Sequence, residues 1–320
     1  MSNEKNVIIV DGYNQFIRNY MMDPSVSKHG FPIGACKGFL KSLQKETRSF
    51  QPEMIIVVWD GAGGSKKKRK LFAEYKEGRK PVRFNRNNEI FKQFSDQEES
   101  ENKRWQFVRL IEYLNDMPIV QFMIDDVEAD DIIARICNLR KLSAYKKIII
   151  SSDKDFLQLC SEDVVLFRPI KEETYDTNAV IDEYNIHPNN FALARSIAGD
   201  QSDNLKGIGG AGLKTVSKRL PFLKEEKNYT IDELFEFCEK QDNSKLKIFS
   251  DVLSNKDKIA LNYKMMQLYT PNMSPVSAKK IKDTIDDFKP EFHQTEIIKK
   301  MIIDGLTDFN WETRSEEHTS

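Results

Sequence analysis

The chain has 320 residues, of which 39% are apolar and 31% charged, so it can form one large α/β domain with a smaller appendage. Its formal net charge is only −1, and this balance by itself neither favours nor excludes a nucleic-acid partner. The four cysteines lack a Cys-x-x-Cys spacing and no apolar run approaches about 18 residues, which argues against a disulfide framework, a thiolate zinc site and a membrane-spanning helix.

Short, β-branched apolar segments predict the strands of a buried sheet. These segments are Asn6–Val10, Met54–Val58, Ile119–Phe122, Lys147–Ile150 and Val164–Phe167. Longer segments with helical spacing lie between them, for example residues 39–50 and 105–115. The alternation predicts an α/β fold with a doubly wound, mostly parallel central sheet flanked by helices.

Each of the three strongest strands leads directly into a carboxylate. Asp11 follows the first, Asp60 the second, and Asp153 and Asp155 the third. Because ligands bind beyond the carboxyl ends of the strands in open α/β sheets, we expect these acids to meet at one edge. A single solvated Asp after a strand is ordinary, but its recurrence at the same structural position predicts a site.

The charge changes sign within residues 61–104. Ten basic residues up to position 86 are opposed by only two acids, and an acidic run then begins at Asp96. We expect this segment to be polar and to bury little. A solvated charged loop and an electrostatic guide for a phosphate backbone both fit the composition.

Two further motifs are acidic. Residues 127–131 read VEADD before an apolar helical face, and residues 199–204 read GDQSDN. The helix dipole favours acids near a helix start, which is the ordinary explanation, but three acids in four residues repel one another unless a cation lies between them. The complete set of candidate metal ligands is Asp11, Asp60, Glu128, Asp130, Asp131, Asp153, Asp155, Asp200 and Asp203.

This set consists of oxygen donors alone, which favours Mg²⁺ or Mn²⁺ over zinc. Nine carboxylates exceed what one Mg²⁺ needs, so we predict two ions. The first would be held by the earlier acids, and the second mainly by Asp153, Asp155, Asp200 and Asp203. Two hard cations can neutralise a phosphodiester and activate a water molecule, which is the chemistry of phosphodiester hydrolysis.

Residues 207–215 read GIGGAGLKT. A Walker A loop is excluded, because Leu213 separates Gly212 from Lys214 and no strand precedes the motif. One alternative is a helix–hairpin–helix, whose glycines let backbone N–H groups approach a duplex phosphate; the other is a simple turn that caps a helix. The residues of the first alternative are Gly207, Gly209, Gly210 and Gly212, with Lys214 and Lys218 adding phosphate contacts.

After about residue 204 the pattern becomes helical and charged. We therefore predict a metal-dependent catalytic domain over residues 1–204 and a helical domain over residues 205–313. The last seven residues, 314–320 (RSEEHTS), match one reading of a common sequencing adapter, and we expect them to be an assembly artefact.

The motifs taken together resemble a known family. DGYN at Asp11, WDG at Asp60, VEADD, SSDKDFLQL and GDQSDNLKGIGGAGLKT occur in the order seen in the 5′-nucleases. That family includes flap endonucleases, phage 5′–3′ exonucleases and RNases H, and the N-terminal nuclease domain of bacterial DNA polymerase I. The resemblance, over about residues 6–220, implies a PIN-like nuclease core and a helical domain whose helix–hairpin–helix often holds K⁺.

The resemblance also implies roles for individual residues. The family has a helical arch or clamp after the second metal-binding strand, and YKEGR resembles its start. Lys76 and Arg79 would then contact the scissile phosphate, and Tyr75 would stack on a base, with Phe84, Phe91 and Trp105 as looser candidates for stacking. Asn14 and Arg18 would lie near the substrate.

The leading hypothesis is an Mg²⁺-dependent 5′–3′ exonuclease and flap endonuclease that removes RNA primers and 5′ flaps in replication. We expect a cytoplasmic monomer, in the host cytoplasm if phage-encoded, since the N-terminus has no signal-peptide layout. Its partner is a DNA or RNA–DNA duplex with a 5′ flap, and a sliding clamp or single-strand-binding protein could recruit it. Two alternatives are a non-catalytic binder of branched DNA, which the intact acids disfavour, and a small-molecule phosphohydrolase, which would need neither the basic segment nor the hairpin.

Overall fold

Apolar strands pair into one six-stranded sheet in the computed structural model, which describes residues 5–79, 81–84, 89–241 and 247–307. The strands are β1 (Asn6–Asp11), β2 (Met54–Trp59), β3 (Ile119–Met123), β4 (Lys146–Ile150), β5 (Val164–Arg168) and β6 (Glu173–Tyr175). Their order is β3-β2-β1-β4-β5-β6. β1 runs parallel to β2 and β4, β4 runs parallel to β5, and β6 is antiparallel to β5.

In this order, β1 is the strand at which the chain switches from one half of the sheet to the other. The chain adds β2 and β3 on one side of β1 and then returns to add β4 and β5 on the other. Val7 to Val10 are fully buried, as expected for a parallel strand that is covered on both faces. The five predicted strands and the mostly parallel sheet are confirmed. β6 was not predicted because its sequence, ETY, has no apolar run.

Helices fill the connections between the strands and the C-terminal half of the chain. They are α1 (Gly12–Met22), α2 (Gly34–Phe50), α3 (Lys66–Leu71), α4 (Asp96–Asn115), α5 (Ala129–Cys137), α6 (Thr177–Tyr184), α7 (Phe191–Ala198), α8 (Leu213–Arg219), α9 (Ile231–Glu239), α10 (Lys247–Ser254), α11 (Lys256–Met266), α12 (Pro275–Asp287) and α13 (Gln294–Ile303). Two short antiparallel strands, β7 (Gly199–Asp200) and β8 (Leu205–Lys206), lie between α7 and α8. Within the described ranges, none of the helices is long and apolar enough to span a membrane.

Residue contacts group the chain into two compact units. The first contains the described residues within 1–14, 52–80 and 120–288, and the second those within 15–51, 81–119 and 289–320. Neither unit follows the predicted boundary after residue 204, since residues 205–288 group with the sheet. The predicted artefact at residues 314–320 lies outside the described part of the chain.

The segment 61–104 buries more than its composition predicts. Tyr75, Phe84 and Phe91 are buried, and Phe84 packs on Phe91 with ring centroids 4.9 Å apart. The acidic run is the first turn of α4, where Ser95 and Glu98 form a reciprocal capping box. The expectation of a polar segment that buries little holds for most of its described residues and fails at these aromatic residues, which are used for packing.

Candidate functional site

A cleft of about 160 Å³ lies at the carboxyl ends of the central strands, within the first unit. Seven of the nine predicted metal ligands line it. They are Asp11, Asp60, Asp130, Asp153, Asp155, Asp200 and Asp203. The sheet thus brings together acids that are far apart in the sequence, at the edge where the strand ends were expected to meet.

The backbone at the strand ends fixes the first two acids. Asp11 ends β1, and its carboxylate accepts hydrogen bonds from Ser151 Oγ at 2.8 Å and the Asn14 amide at 3.2 Å. Asp60 follows β2 and accepts from the amide of Ala129, the first residue of α5, at 2.9 Å. These bonds connect the ends of β1, β2 and β4 and the start of α5, so the acids are held by secondary structure.

A single arginine organises the acids on the other side of the cleft. Arg195, on α7, lies 2.8 Å from Asp155 Oδ1 and 2.5 Å from Asp200 Oδ2. Asp153 caps the short 3₁₀ helix that follows β4 and accepts from the Asp155 amide at 2.8 Å. Asp200 also accepts from the amide and hydroxyl of Ser202, both at 2.7 Å.

Three of the cleft carboxylates are buried beside other acids and have raised pKa values, whereas Ser202 and Arg195 outweigh burial and lower the pKa of Asp200. Burial raises the pKa of Asp11 to about 7, with a further increase from Asp60. Burial and the charge of Asp153 raise the pKa of Asp155 to about 7 although Arg195 opposes them, and the same two causes hold the pKa of Asp130 well above its usual range. When these three carboxylates are charged, the positive charge around them is therefore too small to offset their burial and the repulsion from neighbouring acids.

Two predicted ligands do not line the cleft. Burial alone would raise the pKa of Glu128, but Lys68 at 2.5 Å and Lys76 at 2.8 Å lower it below its usual value. Asp131 accepts a hydrogen bond from the Asn272 amide at 2.7 Å. Both acids are thus engaged with groups of the protein, and their assignment as metal ligands stays a prediction.

The two predicted catalytic cations do line the cleft. Lys76 contacts Glu128 and has a left-handed backbone (φ +56°), which is uncommon for a residue with a side chain. Arg79 donates from Nε to the Ser202 carbonyl at 3.1 Å and pairs with the Asp203 carboxylate. The turn that carries both is fastened by Asn204, whose Nδ2 donates to the carbonyls of Glu74 and Glu77 at 2.9 and 2.7 Å.

Tyr75 lies in the same turn but is only 2% exposed. Its hydroxyl lies 3.4 Å from both Glu128 oxygens, and the ammonium group of Lys76 is 4.9 Å from its ring centroid. The ring is covered, so the predicted stacking on a base would require it to leave this position. Phe84 and Phe91 are likewise buried in the second unit, whereas Trp105 is 37% exposed.

Asn14 and Arg18 lie on the same helix, α1, but in different compact units. Asn14 lines the cleft, where its Oδ1 accepts from the amide and hydroxyl of Ser152 at 3.1 and 2.8 Å. Arg18 lies beside the buried carboxylate of Glu46, and its charge offsets part of the rise in that pKa. The structure gives Asn14 a role in building the cleft and gives Arg18 an acidic neighbour.

The glycine-rich loop joins β8 to α8, so a two-residue strand precedes the motif, contrary to the expectation from the sequence, and α8 packs against α7. A Cβ at Gly207 would lie 2.1 Å from the Ala198 carbonyl oxygen, so this position requires glycine. At Gly209, Gly210 and Gly212 a Cβ would meet nothing within 4 Å, and the side chains of Lys214 and Lys218 are exposed. The loop backbone is open to a partner, while the helix–hairpin–helix assignment stays a prediction.

Several residues of the cleft were not found from the sequence. They are Lys68, Ser151, Arg195, Ser202, Met265, Met266 and Leu268. Lys68 was hidden in a basic run, and Arg195 has no motif around it. Among the residues that the structure describes, no group of three or more His, Cys, Asp or Glu side chains is placed closely enough to hold a metal ion. The cleft acids repel one another, and three of them form ion pairs with Arg195 or Arg79.

Comparison with protein families gives a match over residues 6–185 to the family described as "5′-3′ exonuclease, N-terminal resolvase-like domain". A 5′–3′ exonuclease of Aquifex aeolicus is 28% identical over 267 residues, which is 83% of this chain and 82% of that protein. DNA polymerase I of Caldicellulosiruptor bescii is 28% identical over 241 residues, or 73% of this chain. The match spans only 26% of that polymerase.

Solved structures support the same fold. The T5 5′-exonuclease with bound zinc ions has a TM-score of 0.68 and 21% identity, and the match covers 89% of this chain and 99% of that chain. A complex of the bacteriophage T5 D15 flap endonuclease with DNA and metal ions has a TM-score of 0.65 and 21% identity, with 92% and 99% covered.

Proposed function

The chain belongs to the 5′–3′ exonuclease family, and from this premise we propose that it hydrolyses phosphodiester bonds near the 5′ ends of branched DNA or RNA–DNA duplexes. The observation that carries the proposal is the convergence of seven carboxylates on one cleft that also contains Lys76 and Arg79. Family membership confirms the resemblance seen in the motifs and the class of enzyme. The substrate, the ions and the residue roles below are proposals.

The cleft is suited to divalent cations. Its donors are carboxylate oxygens, the ligands that Mg²⁺ and Mn²⁺ prefer. The raised pKa values of Asp11, Asp130 and Asp155 support this fit, because buried acids that face one another are stabilised when a cation lies between them. Two ions, held by the acids at the ends of β1 and β2 and by those around Asp153 and Asp200, would neutralise the phosphate and activate water.

Lys76 and Arg79 orient the phosphate in this proposal. Both lie on the turn that Asn204 fastens to the acidic loop after β7, so their distance from the acids is set by hydrogen bonds from the Asn204 side chain to backbone carbonyls of the turn. Arg79 is half exposed, so its guanidinium can exchange the Asp203 carboxylate for a phosphate oxygen. Lys76 supplies a second positive charge where negative charge develops during cleavage.

The glycine loop grips the duplex behind the cut. The backbone at Gly209, Gly210 and Gly212 is open, and exposed Lys214 and Lys218 on α8 add positive charge beside it. Backbone N–H groups and lysines together bind phosphates without reading sequence. Carbonyl groups of the same loop would hold K⁺.

The proposed setting is replication, where the enzyme removes RNA primers and 5′ flaps as a cytoplasmic monomer. A sliding clamp or a single-strand-binding protein is the proposed class of protein partner. The complex of the T5 D15 flap endonuclease, which contains DNA and metal ions, supports the substrate class and the need for metal.

Cleavage of a 5′-labelled flap tests the proposal directly. Wild-type protein with Mg²⁺ should cut near the junction, and Asp153→Asn should reduce the rate at least about a hundredfold while flap binding is retained. Asp182→Asn, at an exposed acid on α6 away from the cleft, is the matched control and should cut normally. Tight flap binding without cleavage by wild type in either Mg²⁺ or Mn²⁺ would instead identify a non-catalytic binder.

A further inference from the structure

The loop between α11 and α12, residues 267–274, forms part of the cleft wall. Met265 and Met266 at the end of α11 and Leu268 in the loop all line the cleft. The next residue, Tyr269, is 76% exposed, one of the most exposed large side chains in the described part of the protein. A large aromatic ring is thus displayed one residue from the cleft lining.

Hydrogen bonds hold this loop to the acidic segment after β4. Gln158 donates from Nε2 to the Asp155 carbonyl at 2.8 Å and to the Met266 carbonyl at 3.1 Å. Its Oε1 accepts from the Leu268 amide at 2.7 Å. The Gln158 side chain therefore links the backbone of the cleft residue Asp155 to the backbone of Met266 and Leu268, which flank Gln267.

The rest of the loop is fastened as well. Gln267 exchanges two hydrogen bonds with the backbone of Thr270, at 2.8 and 3.2 Å, and so closes the turn that carries Tyr269. The Asn272 amide donates to Asp131, and its carbonyl accepts from Lys67 at 3.4 Å. Asp131 thereby anchors the loop from the start of α5.

We propose that Tyr269 is a substrate-binding residue, whose ring stacks on a nucleobase of the strand that enters the cleft, and that Gln158 and Asp131 are positioning residues for its loop. A stacking platform must be aromatic, accessible and held in place, and Tyr269 on this loop meets all three conditions. Buried Tyr75 meets the first and third conditions only. This inference rests on the proposed function, since it assumes a nucleic-acid strand in the cleft.

The test measures flap binding by Asp153→Asn protein, which holds the substrate without cutting it. Replacing Tyr269 by Ala in this background should weaken binding about tenfold, and Tyr269→Phe, which keeps the ring, should restore most of the affinity. In the catalytically competent protein, Tyr269→Ala should raise KM by a similar factor and change kcat little. Phe292→Ala, at an aromatic residue of the second unit that is 47% exposed, is the matched control.

A 2-aminopurine base near the scissile phosphate gives a readout that a structural role would not change. Its fluorescence should be quenched on binding by proteins with Tyr or Phe at position 269 and less quenched with Ala. Tyr269→Ala protein that binds and quenches like wild type, when wild type binds and cuts flaps, would overturn this inference alone. A wild type that neither binds nor cuts flaps would overturn the proposed function together with it.

Discussion

Buried Asp304 of the second unit and the buried cleft acids Asp11 and Asp130 of the first unit have opposite surroundings. In the second unit, Asp304 accepts a hydrogen bond from Arg109 Nη2 at 3.0 Å and another from the Tyr113 hydroxyl. In the cleft of the first unit, Asp11 and Asp130 are buried beside other carboxylates, and their pKa values are raised. The acid in the second unit is neutralised by partners from its own chain, whereas the cleft acids are arranged to need a charge from outside.

This difference distinguishes Asp304, whose charge is satisfied within the protein, from Asp11 and Asp130, whose charges are not. A buried acid that only supports the fold is expected to have its charge and hydrogen bonds satisfied within the protein. Acids that repel one another cost folding free energy, and they persist where function requires them. Two variants of the second unit sharpen the comparison.

The largest effect on stability is expected at Asp304. Asp304→Asn removes the buried carboxylate that accepts from both Arg109 and Tyr113 and leaves Arg109 with partly exposed Glu112 as its acidic partner, which should lower the unfolding free energy by about 4 kcal/mol. Urea unfolding measures this, with Asp182→Asn as a control that should stay within about 0.5 kcal/mol of wild type. A loss near zero at Asp304 would remove the contrast between the two regions.

A smaller, pH-dependent effect on stability is expected at Glu46. Unlike Asp304, this buried acid of the second unit has a raised pKa. Burial raises its pKa from the usual 4.5 to about 7, although the charge of Arg18 opposes this. Because the folded state favours neutral Glu46, the contribution of this residue to the unfolding free energy is fully present below pH 4.5 and is lost as pH rises towards 7. Glu46→Gln should therefore gain up to about 3 kcal/mol relative to wild type across this range.

Unfolding curves at a series of pH values test that expectation. The difference between Glu46→Gln and wild type should grow between pH 4.5 and about 7 and then stay constant. A difference that is independent of pH would show that folding does not raise the pKa of Glu46, so that the folded state carries its charge as readily as the unfolded state. Glu46 would then resemble a paired structural acid such as Asp304.

The sequence predicted what depends on regular structure. Asp11 and Asp60 were found because strands with apolar runs end at them, and parallel strands bring their carboxyl ends to one edge. The division into units could not be read in the same way, because each unit is assembled from separate stretches of the chain. Such long-range grouping leaves no local pattern.

Side-chain partners were the other limit. Nothing in the sequence around Arg195 indicates that it bridges Asp155 and Asp200, since the contact arises from the packing of α7. Tyr75 was expected to be a stacking residue, but its ring is buried in a cluster with Leu205, Met265 and Met266, which lie far along the chain. No sequence motif marks exposed Tyr269, and its position beside the cleft follows only from the structure of its loop.

The central claim is that the cleft acids are completed by divalent cations, and the most direct test is the unfolding free energy with and without Mn²⁺. Mn²⁺ at about a hundred times its Kd should stabilise wild type by about 3 kcal/mol. Asp11→Asn combined with Asp130→Asn should remove most of this gain, and should make the metal-free protein no less stable, because two buried like charges are removed while the ion pair of Asp155 with Arg195 is kept. No stabilisation of wild type by Mn²⁺ or Mg²⁺, or an equal gain in the double variant, would contradict the claim.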